Sequence, residues 1–410
     1  MLPYEATDSI AELLNELDEW KRLLDIRVLP RTWRGRLRRD LEAEAVAAST
    51  RMEGVNVTVD EVRRILAGDQ PTDVEPEDRR LVEGYRGAMN FVLRQADDPA
   101  FSWDKGLIVG LHDRAMAGRY DLGAGRLRTN HPVWVTNRLT GEEVYLPPDQ
   151  DVDALVEEAV TNLRTTSAHP ALVAAWVHIA IAAIHPFADG NGRSARILAS
   201  LSMYRGGFKL KEFTSLEEWW GRHLADYYEL FSCLGSTWDP AVDVTPFVEG
   251  HLRAQVQQVR ALDLRVRTEQ QIWLAVEEAA EDVGLERRLA NALWDAFFGR
   301  DVTAGYYRSL TDVSPATATK DLATAVAAGL LASEGERRGR RYFAGTRLYP
   351  AVADTLFIHD LETAESPQDR IVGELGKRLS MSGEAFGFLR RPFATDDSVV
   401  ASPKNEEAGA

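Results

Sequence analysis

Ile184-His185-Pro186-Phe187-Ala188-Asp189-Gly190-Asn191-Gly192-Arg193-Ser194-Ala195-Arg196 is the stretch on which the reading of this chain turns. Upstream, Ala171 to Ile184 is apolar, with Trp176, Val177, Ile179 and Ile181, and downstream Ile197-Leu198-Ala199 resumes an apolar helical pattern. The run therefore reads as helix, loop, helix. Pro186 cannot continue the first helix, and Gly190 and Gly192 free the loop from the steric limits on L-residues. The second helix is expected to start near Asn191 or Gly192, where its first turn offers unpaired N–H groups and the positive end of its dipole. Arg193 and Arg196, three apart, share one face of that turn. Two guanidiniums, a helix N-terminus and a Gly-Asn-Gly turn together make a cradle for a polyphosphate, with His185 and Asp189 at its mouth.

This run resembles the signature of the Fic family, His-x-Phe-x-Asp/Glu-Gly-Asn-Gly-Arg-x-x-Arg, at every specified position. The resemblance extends over roughly residues 30 to 250. It implies a mainly α fold, a Fic helical core with a β-hairpin flap. It also implies transfer of AMP from ATP, with Mg²⁺, to a Ser, Thr or Tyr hydroxyl of a target protein, with self-modification as one outcome. Carried over to this chain, His185 is the base that takes the hydroxyl proton. Asp189 holds Mg²⁺, and Gly190, Asn191 and Gly192 cradle the phosphates. Arg193 and Arg196 hold the β- and γ-phosphates, so that the α-phosphate lies in line with the incoming oxygen. Phe187 anchors the loop in the core.

Three further stretches extend the resemblance. Ser49-Thr50-Arg51-Met52-Glu53-Gly54 resembles the inhibitory motif that many Fic proteins carry ahead of the core, which implies that Glu53 reaches Arg196 through a charge-assisted pair. A helix-end Glu before a C-terminal Gly is the plainer alternative. Val133-Trp134-Val135-Thr136 and Glu143-Val144-Tyr145-Leu146 are β-rich runs around a turn at Asn137 to Gly141. They resemble the Fic flap, whose edge strand can hold an extended target segment; a hairpin that merely packs is the alternative. Tyr227 and Tyr228 stand where the family often has a Tyr pair near the nucleotide base, although core packing accounts for them equally well. This chain departs from the family at Leu234-Gly235, where an Asn is common.

Bulk properties exclude other classes. The chain has 410 residues, 45% apolar and 27% charged, with a net charge of −16. Such a charge argues against nonspecific binding of DNA or of anionic membranes by the whole molecule. Cys233 is the only cysteine, so neither an internal disulfide nor a cysteine zinc cluster can form. The first twenty residues carry six acids and are not a signal peptide. The apolar run Ala171 to Ile184 is too short to span a bilayer. A reducing cytoplasm is the expected home, and a homo-oligomer is compatible with the sequence.

Taken in order, helices are expected over residues 9–26, 32–52, from a capping box at Thr58-Val59-Asp60-Glu61 to 68, and over 78–95, 101–118, 152–165, 170–184, 213–230 and 244–263. His112 is expected to be a structural histidine. The domains read as a helical region with the inhibitory helix (1–100), a catalytic core (101–263), a third module (264–350) and a partly disordered tail (351–410). The third module has helices at 270–283, 285–298 and 302–313, a helix opened by Ser314-Pro315, and two short strands around Gly335 to Gly339. That order is a winged-helix signature. Its turn carries Arg337, Arg338, Arg340 and Arg341, which suit phosphates. Asp321 on the would-be recognition helix opposes DNA binding, and protein docking is the other use of such modules. Beside AMP transfer stand three other readings: removal of AMP with Glu53 orienting water, transfer of another nucleotide, and a nucleotide-sensing DNA-binding regulator.

Overall fold

The computed structural model describes residues 2–25, 31–66, 68, 71, 73–129, 133–136, 140–149, 151–209, 216–336, 339–361 and 366–380, with the backbone only for 31–39. Contacts divide the chain into two units, Met1–Val259 and Arg260–Ala410. Among the described residues no helix is long and apolar enough to cross a membrane.

The first unit is helical. Its elements are α1 (Asp8–Asp25), α2 (Arg31–Met52), α3 (Val59–Leu66), α4 (Pro76–Asp97), α5 (Lys105–Ala115), β1 (Val135–Thr136), β2 (Glu143–Tyr145), α6 (Val152–Thr165), α7 (Pro170–Ile184) and α8 (Asn191–Arg205). α7 sits at the centre because its sequence is apolar on every side; Ala174, Val177, Ile179, Ile181 and Ala183 are fully buried. Pro170 occupies its first turn, where a missing N–H costs nothing, and the His169 ring accepts from the Ala171 N–H at 3.1 Å. α7 and α8 are joined by the loop His185–Gly190. The second helix starts at Asn191, as expected.

α2 ends in a Schellman turn. The Val55 N–H reaches the Thr50 carbonyl at 3.2 Å and the Gly54 N–H reaches that of Arg51 at 2.9 Å. Gly54 holds φ 85°, which an L side chain resists. The turn leaves Glu53 just past the last helical residue. The expected capping box opens α3: the Glu61 carboxylate accepts from the Thr58 N–H at 2.7 Å, and the Glu61 N–H reaches the Thr58 hydroxyl at 3.2 Å.

Several expectations need correction. The run Val133 to Thr136 is strand only at Val135–Thr136, where a bulge in the pairing with Tyr145 and Glu143 shortens the ladder. The helix expected over 213–230 is two, Leu216–Arg222 and Leu224–Glu229, broken where His223 leaves helical geometry at φ −126°. Helices expected to end at Asp263 and restart at Gln270 are one, Thr245–Asp282. No Gly or Pro interrupts 264–269, and ion pairs Asp263–Arg267 (2.9 Å) and Arg265–Glu269 (2.7 Å), each four residues apart, favour continuation. Leu348–Thr355 is a helix although it contains Pro350, which lies in its first turn.

The second unit holds helices Ala290–Phe297, Ala304–Thr311 and Pro315–Ala327, then β3 (Leu331–Glu334) and β4 (Arg341–Ala344), paired antiparallel from Leu331↔Ala344 to Glu334↔Arg341. Ser314 caps Pro315–Ala327 by accepting from the Thr317 N–H at 3.1 Å. Asp321 is turned inward: it takes Arg288 Nε at 2.7 Å, Arg288 Nη2 at 3.0 Å and the Tyr307 hydroxyl at 2.9 Å. Asp321 is therefore an internal tie rather than a charge opposing a polyanion, and Thr319, Lys320 and Ala323 lie on the exposed side of that helix. The expected tail Ala394–Ala410, the turn residues Asn137, Arg138 and Leu139, and Arg337 and Arg338 lie outside the described residues.

Candidate active site

A cavity of about 630 Å³ opens at the N-terminus of α8, a volume in the usual range for a nucleotide-sized ligand. His185, Asp189, Gly190, Asn191, Gly192, Arg196, Glu53, Tyr227, Tyr228, Trp134, Val135 and Thr136 all line it. Residues from four separate stretches of the sequence are thus brought to one place. Of the expected site residues, Val133 and Arg193 do not line it.

The loop between α7 and α8 is tied down at nearly every carbonyl. Arg128 binds three in a row: its Nη2 donates to Ile184 O at 3.2 Å, its Nε to His185 O at 2.7 Å, and its backbone N–H to Pro186 O at 2.8 Å. It also donates to Pro148 O. Asn191 closes the next step with both ends of its amide, taking the Phe187 N–H and donating to Phe187 O, each at 2.9 Å. His112 holds Asp189 O at 2.9 Å through Nε2, and its Nδ1 accepts from the Gly125 N–H at 3.0 Å, which fixes the tautomer. Its ring stacks on fully buried Phe187 at 3.7 Å between centroids. His112 is structural, as expected. The Asn191 side chain serves the loop, leaving only its main chain to face a phosphate.

Glycine is needed at two positions here. Gly190 holds φ 76°, and a Cβ on it would stand 2.5 Å from Met116 Sδ and 3.3 Å from His112 Nε2. Gly190→Ala should therefore destabilise the fold by about 2 kcal/mol or more, combining left-handed strain with overpacking. Gly141→Ala is the control, since it has the same strain at φ 75° with nothing within 4 Å. Equal losses of chemical-denaturation stability in the two variants would refute the steric account. A Cβ on Gly192 would stand 2.5 Å from Glu53 Oε1 and 3.1 Å from Arg196 Nη1. The Glu53 carboxylate thus rests against the first turn of α8.

Arg196 is buried and held from two sides. Its Nη2 donates to Glu53 Oε1 at 2.8 Å and to Ser49 O at 3.2 Å, and its Nε donates to Ser49 Oγ at 3.1 Å. Nη1 lies 3.4 Å from the Tyr227 hydroxyl. Burial opposes the charge on Arg196, but Tyr227 and Glu53 outweigh it and hold the pKa above its ordinary value. Arg193 is buried too, with Nη2 3.4 Å from Asp189 Oδ2, while its Nε and Nη1 have no hydrogen-bond partner among the described residues. Asp189 Oδ1 accepts from the Gly190 N–H at 2.7 Å.

His185 ends α7 in the left-handed region, φ 49°, which turns the chain sharply into the loop. Burial lowers its pKa to about 4, and Arg128 pushes the same way. The imidazole is neutral at pH 7 and able to take a proton.

The sequence reading missed Arg128, His178 and His251. Arg128 sits in an aperiodic segment, and nothing in its neighbours marks it. The two histidines lie on apolar helix faces, where a buried polar residue implies a partner but does not name it.

Residues 102–203 match the model of the Fic/DOC family. A Fido domain-containing protein of Dictyostelium discoideum is 39% identical over 71 residues, 17% of this chain and 50% of that protein. Protein adenylyltransferase fic-1 of Caenorhabditis elegans is 28% identical over 163 residues, 38% of this chain and 30% of that protein. The chain thus spans half or less of the length of these curated relatives. Among solved structures, a Fic family protein from Desulfovibrio desulfuricans G20 superposes with a TM-score of 0.55 at 22% identity, covering 84% of this chain and 98% of that one, a likeness of fold. The segment 102–203, with His185 to Arg196 inside it, is thus similar to the Fic/DOC family.

Proposed function

We propose that this protein transfers AMP from ATP to a hydroxyl side chain of a target protein, and that Glu53 holds the reaction in check. One observation carries the reading: the Glu53 carboxylate, the first turn of α8 and the Arg196 guanidinium share one spot. A helix N-terminus beside a buried guanidinium is an anion site, and a carboxylate of the chain itself now fills it.

In the transfer, neutral His185 takes the proton of the target hydroxyl. The freed oxygen bonds to the α-phosphorus, the bond from that phosphorus to the bridging oxygen breaks, and pyrophosphate leaves. The N–H groups of Asn191 and Gly192 and the Arg196 guanidinium hold the phosphates, so binding supplies the alignment. Arg193, beside Asp189, adds positive charge next to the cradle. Asp189 fits Mg²⁺: its carboxylate is partly exposed in the cavity, and this ion needs only one or two carboxylates when phosphates complete its shell. Among the described residues no group of three His, Cys, Asp or Glu could hold a metal. Bound there, Mg²⁺ would neutralise charge on the leaving group.

The β1–β2 hairpin acts as the flap. Trp134 and Val144 are exposed on it, and the edge of β1 away from β2, which pairs with no strand among the described residues, can add an extended target segment by main-chain hydrogen bonds. The helix Pro315–Ala327 with β3 and β4 acts as a winged-helix module that chooses the target. ATP labelled at the α-phosphate, compared with ATP labelled at the γ-phosphate, tests the main reading. Label from the α-position should appear on protein in the presence of Mg²⁺, most strongly with Glu53→Gly. Labelling from the γ-position alone, or from neither in both proteins, would overturn it.

A further inference from the structure

Behind Arg196 runs a chain of four buried side chains. Gln255 Nε2 lies 2.9 Å from His251 Nδ1, His251 Nε2 lies 3.2 Å from His178 Nδ1, and His178 Nε2 lies 3.0 Å from the Tyr227 hydroxyl. None of the four is more than 4% exposed. Burial keeps both imidazoles neutral, with His251 lowered to about 3 and His178 well below its ordinary value. Burial also raises the Tyr227 hydroxyl to about 12, so it stays protonated.

A neutral imidazole carries one N–H, which gives the chain a direction. With the amide nitrogen of Gln255 facing it, His251 Nδ1 accepts, so the His251 proton is on Nε2. That proton goes to His178 Nδ1, so the His178 proton is on Nε2 and goes to Tyr227. Arg196 has no acceptor and also donates to Tyr227. Both lone pairs of the Tyr227 oxygen are then engaged, and its own O–H must point to an acceptor outside this set. Tyr227 lines the cavity, beside the guanidinium that Glu53 now engages.

We propose that Tyr227 donates a hydrogen bond to the phosphate oxygen that Arg196 holds, and that Gln255, His251 and His178 orient it for that task. Tyr227 is then a ligand of the polyphosphate end of the nucleotide rather than a surface for its base. The inference rests on the reading of Arg196 as a phosphate ligand.

The test measures ATP, ADP and AMP affinities by titration calorimetry with Mg²⁺, in the Glu53→Gly protein and in the same protein carrying Tyr227→Phe. Loss of a hydrogen bond to a charged oxygen should weaken ATP by about tenfold or more and leave AMP within about twofold. Gln255→Glu, made outside the cavity lining, presents an acceptor to His251 and reverses the chain, so that Tyr227 donates to His178 instead; it should reproduce the selective loss of ATP. Equal weakening of all three nucleotides in both variants means that Tyr227 only supports the fold. Unchanged ATP affinity in Tyr227→Phe means that its proton never reached the phosphate. Either result overturns the proposal while leaving Arg196 in place. Failure of the Glu53→Gly protein to bind ATP at all would instead remove the phosphate site, and the proposal with it.

Discussion

His185→Ala is expected to keep ATP binding and to slow AMP transfer by about 10²–10⁴-fold, the usual worth of a general base. The side chain lines the cavity where α7 ends, and burial with help from Arg128 holds its pKa near 4. Its base form is therefore complete above about pH 5. The rate should be flat from pH 6 to 8 and fall only as pH drops through about 4, whereas an ordinary imidazole would titrate near 6.5. The same shift bears on folding. The unfolded chain takes this proton first, so stability is lost as pH falls from about 6.5 towards 4. His185→Asn serves as a second variant because Asn tolerates the left-handed backbone. Measurement of labelled AMP incorporation against pH, with ATP affinity alongside, decides the matter. Wild-type rates in either variant would take His185 out of the chemistry.

Glu53→Gly should raise AMP incorporation by about 10–100-fold, and Arg196→Ala should not raise it. Both changes break the 2.8 Å pair between Glu53 and Arg196. Only the first leaves a guanidinium for the nucleotide, and it also removes a negative charge from the place where the phosphates must sit. A sheltered charge-assisted pair is worth about 1.5–3 kcal/mol, which sets the range. Arg196→Ala also strands the buried Ser49 carbonyl and hydroxyl, so a loss of stability should accompany its slow rate. The readout is the initial rate of incorporation at saturating Mg²⁺ for wild type and both variants. A Glu53→Gly protein no faster than wild type means that Glu53 is no brake. A variant that loses AMP removal instead makes Glu53 a hydrolytic group, and removal becomes the main activity.

The parts of this protein that local chemistry specifies were legible in its sequence. The helix–loop–helix around His185 announces itself through Pro186, Gly190 and Gly192, and the Thr58–Glu61 box marks the start of α3. The pairing of Glu53 with Arg196 was expected from the motif, and Gly54 ends the helix as the plainer reading expects. What could not be read depends on distance in the sequence. Arg128 meets carbonyls 56 and 57 residues away, and His178 meets His251 across 73. The break assumed at Asp263 failed because polar residues in a long helix look like a linker when their ion pairs lie within the helix itself. Asp321 looked like surface charge because its partner Arg288 stands 33 residues earlier.

The bonds from Arg128, Asn191 and His112 to the loop before α8 also bear on how affinity should be interpreted. Fixing one residue of backbone costs about 1–2 kcal/mol in conformational entropy. For the six residues Pro186 to Asn191 that is roughly 6–12 kcal/mol. Because protein groups already hold these residues, the cost falls at folding and is not charged to the ligand. A nucleotide meets a preorganised surface. Differences in its affinity among variants should therefore report the hydrogen bonds and charges that each substitution alters, rather than the ordering of a mobile segment.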